Sequence, residues 1–240
     1  MSAAADDGGP AASSRPIEAG LYKLTSVLLQ YPSAALVSGV DVLDQAVAGC
    51  PRASREPLHR FLGWLRSTPS IEVAQHYVQT FDLRRKSGLY LTYYLHGDTR
   101  KRGIALLTLK QRYRAHGLRL RDGELPDLLP VVLEFAAAVG PGDGEAPLRQ
   151  HRHGLELLRA ALEAAGSPYR HLLDAVCLAL PPITDEDRAA ITALAVDGPP
   201  VETVGLGGPG GGDELAGIGL APYGAPAGAP AACTQPEVRP

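Results

Sequence analysis

Apolar residues recur every three or four positions from residue 17 to residue 197, and this period constrains the fold more than any other feature of the sequence. At least eight such stripes follow one another along the chain. Clear examples are Leu21, Leu24 and Leu28; Leu58, Phe61, Leu62 and Leu65; Leu148, Leu155, Leu158 and Leu162; and Tyr169, Leu172, Leu173, Val176 and Leu180. Stripes of this kind belong to amphipathic helices that bury one face. We therefore predict an all-α fold, a single compact multi-helix bundle over residues 17–204.

Two segments qualify this expectation. The spacing of apolar residues over 89–95 fits a strand as well as a helix, although a lone strand would have no partner in this chain. Ile104 and Leu107 widen the apolar stripe that contains Leu109, so the sequence predicts a helix buried on two sides there.

The two ends of the chain have a different composition. Residues 1–16 are small, polar and proline-containing, and residues 205–240 hold ten glycines and six prolines. Such segments bury too little apolar surface to offset their chain entropy, so we predict disordered tails at both ends. A GxGxxG-like string at Gly205, Gly207 and Gly210 lacks the flanking strand and helix of a phosphate-binding loop and is interpreted as linker.

The cysteines and the start of the chain indicate the expected compartment. Cys50, Cys177 and Cys233 are far apart and have no metal-ligand spacing, so neither a disulfide framework nor a metal site is predicted. The first residues are acidic and lack a basic segment followed by an apolar run, and no apolar stretch reaches the length of a membrane span. We expect a soluble cytoplasmic protein without a cofactor.

Charge is distributed unevenly. Residues 82–121 hold eleven basic residues and only two acidic ones, although the whole chain has a net charge of −3. This basic sector could consist of solvated helix faces, or it could steer a charged partner. A nucleic-acid regulator would stack bases on Tyr90, Tyr93, Tyr94 and Tyr113, but the acidic pI and the absence of a helix-turn-helix pattern weigh against it.

No catalytic constellation stands out. The sequence has no GxSxG, HExxH or P-loop motif. His151 and His153 are two residues apart, point to different helix faces, and are interpreted as polar surface. Asp127 and Glu134 share a helix face two turns apart, with no nucleophile or metal ligand beside them. We predict that the protein is not an enzyme.

Two stretches carry a family resemblance. The first contains YVQTFD at 77–82, LYLTY at 89–93 and HGDTRKRG at 96–103, and the second is ELPDLLPVVLEF at 124–135. Together they resemble the NarJ-type nitrate reductase molybdenum cofactor assembly chaperones, within the wider TorD-like family of redox-enzyme maturation chaperones. A looser similarity extends from about 17 to 205.

The resemblance implies an all-helical cytoplasmic chaperone that binds the apo catalytic (alpha) subunit of a respiratory nitrate reductase, through the N-terminal segment of that subunit. It would hold the subunit ready for molybdenum cofactor insertion and would not be part of the mature enzyme, with no nucleic-acid partner and no membrane insertion. A helical adaptor with another client is one alternative. Another is a cofactor carrier, in which Arg100, Lys101 and Arg102 meet the phosphates of a pterin dinucleotide. The residues expected to bind the client are Tyr77, Phe81, His96, Asp98, Arg100, Arg102, Glu124, Pro126, Asp127 and Glu134. Leu128 departs from the family, which usually has histidine after Pro-Asp.

The second stretch also suggests a geometry for the client site. Pro126 and Pro130 are both tolerated only near a helix start, so Asp127 would cap that start or lie in its first turn, with Glu134 near the same face. The apolar flank of this acidic groove would be Leu129, Val132 and Leu133. Such a groove would accept an amphipathic helix with basic residues.

Overall fold

The computed structural model describes residues 15–121, 123–198 and 200. The predicted tails lie outside the described residues, except that residues 15 and 16 already belong to the first helix.

Helices account for the regular structure of the described residues. The α-helices are α1 (Arg15–Leu28), α2 (Ala34–Ser38), α3 (Val40–Val47), α4 (Arg52–Ser67), α5 (Ser70–Tyr77), α6 (Leu91–His96), α7 (Arg100–Ala115), α8 (Leu129–Val139), α9 (Ala146–Gln150), α10 (Arg152–Ala164), α11 (Arg170–Ala179) and α12 (Asp185–Asp197). A π-helical turn (Val78–Asp82) continues α5, and a 3₁₀ turn (Arg85–Ser87) follows it. Within these residues the β-structure is limited to one isolated bridge. The predicted all-α fold is confirmed.

Several helix ends follow from local sequence. The residue Pro130 occupies one of the first two positions of α8, where an amide hydrogen has no intrahelical partner to lose. Thr184 and Asp187 form a capping box at the start of α12, and three acidic residues in its first turn suit the positive end of the helix dipole. Gly39 is both the C-cap residue of α2 and the N-cap residue of α3, so residues 34–47 form two short helices.

One large core joins most of the helices. α1 packs against α8 and α11, α4 packs against α11 and α3, and α10 packs against α11, α6 and α12. The largest side chains that are fully buried in this core are Tyr22, Tyr169, Phe61, Leu21, Leu28, Leu29, Leu58, Leu62, Leu65, Leu91, Leu129 and Leu133. Within the described part of the chain, no helix is both long and apolar enough to cross a bilayer.

α7 packs differently from its sequence prediction. It buries Leu109 and Tyr113, which form a small second cluster with Phe135 of α8. Ile104 and Leu107 are 68% and 53% exposed. The prediction that this helix is buried on two sides is wrong, because α7 packs along one face against the described residues and exposes Ile104 and Leu107 on the other.

The crossing of α6 and α10 fixes the position of α6. Gly154 of α10 lies under α6, and a Cβ atom at this residue would be 3.2 Å from the carbonyl oxygen of Leu91 and 3.3 Å from the Cβ of Tyr94. The absence of a side chain on Gly154 therefore lets the two backbones approach closely.

Candidate functional site

The two stretches that carry the family resemblance meet in space. Tyr90 and Leu128 form a short antiparallel bridge. Main-chain hydrogen bonds flank it, from the Leu91 amide to the Asp127 carbonyl at 3.0 Å and from the Leu129 amide to the carbonyl of residue 89 at 2.8 Å. The segment 89–95 is thus neither a strand nor a helix throughout, since one bridged residue precedes α6. This clamp joins the chain just before α6 to the chain just before α8.

A buried carboxylate lies directly behind the clamp. The side chain of Asp127 is 0% exposed, and its Oδ2 accepts a hydrogen bond from the Thr92 hydroxyl. Oδ2 is also 3.6 Å from Nη2 of Arg102, whose Nε donates to Thr92 Oγ1 at 3.3 Å. No described group donates to the buried Oδ1. A carboxylate buried away from solvent needs hydrogen-bond donors and a cation, and here Thr92 and Arg102 supply them. Asp127 therefore joins α6 and the first turn of α7 to the start of α8.

The guanidinium of Arg102 connects this buried network to the surface. It lies 5.8 Å from the ring centroids of both Tyr90 and Tyr93, within the range of cation–π attraction. Its Nη1 donates to Asp98 Oδ1 at 3.2 Å. The Arg102 side chain is 19% exposed and that of Asp98 is 63% exposed. We call the surface formed by Tyr90, Tyr93, Asp98 and Arg102 the Arg102 patch.

The acidic groove predicted along α8 is absent. Asp127 precedes the helix and turns inward, and Leu128 at the N-cap position makes no side-chain cap. Glu134 is exposed and pairs with Lys23 of α1. The residues expected to form the apolar flank of the groove are fully buried in the core: Leu129, Val132 and Leu133. The prediction of this groove is wrong, because α8 uses its apolar face to pack against α1.

Tyr77 and Phe81 belong to an aromatic cluster in the core rather than to the Arg102 patch. Their ring centroids are 4.9 Å apart, and they lie 5.8 Å and 4.9 Å from that of Tyr169. The Tyr77 hydroxyl donates to the carbonyl of Leu29 at 3.2 Å, and burial raises the pKa of Tyr77 to about 12. These two residues therefore support the chain segment that leads to Tyr90.

The remaining predicted residues lie at the end of α6, at the start of α7 and in the loop before α8. His96 is half-buried at the end of α6, and burial together with nearby Lys101 lowers its pKa. Arg100 is exposed at the start of α7, and Glu124 is exposed in the loop before α8. Pro126 is buried, and its carbonyl accepts a hydrogen bond from the Tyr113 hydroxyl at 2.7 Å.

Sequence reasoning missed one buried group near this site. His151 is 7% exposed, and its Nδ1 lies 2.9 Å from the carbonyl oxygen of Pro147. Burial lowers its pKa, which His96 also lowers and Asp127 raises. The interpretation of His151 as polar surface is wrong. The residue continues the stripe that Leu155 occupies one turn later, so the helical period itself could have identified it as buried.

The lowered pKa of His151 predicts a pH effect on stability. Because its folded pKa lies below the unfolded value of about 6.5, neutral His151 stabilises the fold above that pH, and the contribution is lost as the pH falls toward the folded pKa. We expect His151→Asn, which keeps a donor for the Pro147 carbonyl, to show a smaller loss of stability between neutral pH and pH 5 than the wild type does. Urea unfolding at each pH measures the free energy of unfolding. An unchanged pH dependence of stability in His151→Asn would contradict the assignment.

The described residues contain no group of three or more histidine, cysteine, aspartate or glutamate side chains that could hold a metal ion. The buried side chains of Asp127, Thr92 and Arg102 contact one another and join α6, α7 and the start of α8 beneath the Arg102 patch.

The chain is similar to proteins that are named for nitrate reductase. The family model of the nitrate reductase delta subunit matches residues 48–174. The nitrate reductase molybdenum cofactor assembly chaperone NarJ of Escherichia coli (strain K12) is 32% identical over 170 residues, which cover 70% of this chain and 72% of NarJ. The nitrate reductase-like protein NarX of Mycobacterium tuberculosis (strain H37Rv) is 41% identical over 157 residues, 65% of this chain but only 24% of NarX.

A solved structure shares the fold. The crystal structure of a redox enzyme maturation protein from Archaeoglobus fulgidus matches with a TM-score of 0.50 and 19% sequence identity. The match covers 71% of this chain and 95% of that one.

Proposed function

Because the chain belongs to the nitrate reductase delta subunit family of NarJ-type maturation chaperones, we propose that it binds the catalytic (alpha) subunit of a respiratory nitrate reductase. The family acts in enzyme maturation and not in catalysis. The chain would bind the subunit in its apo form in the cytoplasm, through the N-terminal segment of that subunit. It would hold the subunit until the molybdenum cofactor is inserted and would then leave the assembled enzyme.

The observation that carries the proposal is the meeting of the two family-like stretches at the Arg102 patch. The side chains that face outward here are held from behind by the clamp and by buried Asp127, so the patch is preorganised. Tyr90 is 40% exposed and offers a ring face to apolar side chains of a client segment. Asp98 offers an exposed carboxylate to a basic group at the edge of that segment.

The predicted site residues then divide by role. Direct contact is proposed for His96, Asp98 and Arg102, and a positioning role is proposed for Asp127 and Pro126, which have little or no exposed surface. The exposed residues Arg100, Glu124 and Glu134 are candidates for peripheral contacts, and Tyr77 and Phe81 would support the patch from the core.

The leucine in the position of the family histidine is compatible with this site. Leu128 is half-buried against the main core, and the main-chain hydrogen bonds that flank its bridge to Tyr90 are made by Leu89, Leu91, Asp127 and Leu129. Since the side chain of Leu128 takes no part in those hydrogen bonds, the clamp does not depend on a histidine at this position.

Client binding can be measured with a peptide of the N-terminal segment of the catalytic subunit. We expect the double variant Tyr90→Ala, Tyr93→Ala to bind it at least about tenfold more weakly by calorimetry, a loss of about 1.4 kcal/mol. The matched control is Tyr31→Ala, since Tyr31 is 56% exposed and lies outside the patch. The control should bind within about twofold of the wild type. Equal weakening by both variants, with both folded by circular dichroism, would contradict a client site at the Arg102 patch.

A further inference from the structure

α7 presents an outward stripe that the proposed client site does not use. Ile104, Leu107, Gln111 and Arg114 follow one another at spacings of three and four residues, so they lie on one face of the helix. Ile104 and Leu107 are 68% and 53% exposed, whereas Leu109 on the opposite face is 3% exposed.

The charges on this helix have one sign. α7 contains six basic residues and no acidic residue. Arg102 turns inward to the clamp, while Lys101, Lys110 and Arg114 are exposed around the outward stripe. A helix that carries an apolar pair among cations is complementary to a partner that carries apolar side chains among carboxylates.

The stripe continues into a basic cavity at its C-terminal end. This cavity has a volume of about 720 Å³, and Lys110 and Arg114 form part of its wall. Among the described residues, the other charged ones that line it are Arg119, Arg121 and Glu124. Leu107 precedes Arg114 by two turns, about 10 Å along the helix axis. A partner helix that places apolar side chains on Ile104 and Leu107 would therefore bring carboxylates two turns away to this cavity.

We propose that the outward stripe of α7 and the adjoining cavity, together the α7 docking surface, bind an acidic amphipathic helix of a partner protein. The apolar stripe of this surface is separate from the Arg102 patch, because Ile104 follows Arg102 by two residues and so points to the opposite side of the helix. The cavity shares Glu124 with the peripheral contacts proposed for the client.

The shape of the stripe favours a helix over an anionic membrane. The apolar part of the stripe is one residue wide, bounded by Lys101 and Thr108 on one side and by Gly103 and Lys110 on the other, all exposed. A helix that lies in a membrane interface needs a broad apolar face. A narrow apolar seam with charged edges is instead the contact that two packed helices make.

The probe for this proposal is a synthetic acidic peptide of about 18 residues, long enough to form a helix on contact, with leucines at helical spacing and glutamates beside them. A scrambled peptide of the same composition and vesicles of phosphatidylcholine with about 30% phosphatidylglycerol are measured in parallel with the full chain. We expect the ordered peptide to bind, and its affinity to fall steeply with added salt. Two double variants, Ile104→Ser with Leu107→Ser and Lys110→Glu with Arg114→Glu, should each weaken binding at least about tenfold.

Matched controls distinguish loss of the α7 docking surface from the loss of exposed apolar side chains elsewhere. Val42 and Ile71 are 70% and 65% exposed on other helices, so Val42→Ser with Ile71→Ser should leave peptide binding within about twofold of the wild type. The α7 variants should also keep their affinity for the client peptide, which tests the Arg102 patch separately. Equal binding of the scrambled peptide, unchanged affinity in the folded α7 variants, or binding to the vesicles without binding to the ordered peptide would each overturn the proposal.

Discussion

Replacing Arg102 with methionine should lower the free energy of unfolding by about 3 kcal/mol. The substitution keeps much of the side-chain volume but removes the cation 3.6 Å from Asp127, whose side chain is 0% exposed. The carboxylate would then stay buried with Thr92 as its remaining hydrogen-bond donor among the described side chains. A charge that loses its partner in such a place costs far more than a broken surface pair. Urea unfolding monitored by circular dichroism measures the change.

The double variant Arg102→Met, Asp127→Asn isolates this interaction. Asparagine still accepts a hydrogen bond from the Thr92 hydroxyl but carries no charge, so we expect the double variant to recover most of the stability lost in Arg102→Met. The control Arg114→Met removes an exposed arginine from the same helix and should change stability by less than about 0.5 kcal/mol. If Arg102→Met were no more destabilising than Arg114→Met, the buried pair would not hold α6, α7 and α8 together.

A strain that lacks this chain should make the nitrate reductase subunits but lose most of its nitrate-reducing activity. This expectation rests on the proposed function, in which the apo catalytic subunit must be held while its cofactor is inserted. The catalytic subunit purified from that strain should be poor in molybdenum. Activity assays and metal analysis of the purified subunit measure the two effects, in a strain without a second chaperone of this family.

Complementation connects this result to the Arg102 patch. Wild-type chain and the control Tyr31→Ala should restore activity, whereas Tyr90→Ala with Tyr93→Ala should restore little of it at equal protein level. Normal activity and molybdenum content in the deletion strain would contradict the chaperone role proposed here. Full rescue by the Tyr90, Tyr93 double variant would contradict the location of the site but not the role.

The helical period was a reliable guide to the core because burial of an amphipathic face depends mainly on residues three and four apart. It predicted the inward positions of α1, α4 and α11, including Leu21, Leu58 and Leu172, all of which are fully buried. Local chemistry likewise determines the start of α12, where the Thr184–Asp187 capping box depends only on residues within one turn.

The helical period gave a wrong prediction of burial for α7, which lies at the outside of the bundle. Ile104 and Leu107 fit the apolar pattern as well as Leu109 does, yet they are exposed, because no described helix covers the outer side of α7. How many faces of a helix are covered depends on its neighbours in space, and these are not encoded in its own spacing.

The sequence by itself determined that the chain forms a helical bundle and which two stretches carry its family character. Only the tertiary structure decided how the two stretches contact each other. Asp127 was expected at the surface of a groove, but it meets Thr92, 35 residues earlier in the chain, and Arg102 inside the fold. Helix formation follows from contacts a few residues apart, whereas the direction in which a charged side chain turns depends on partners that distant segments bring to it.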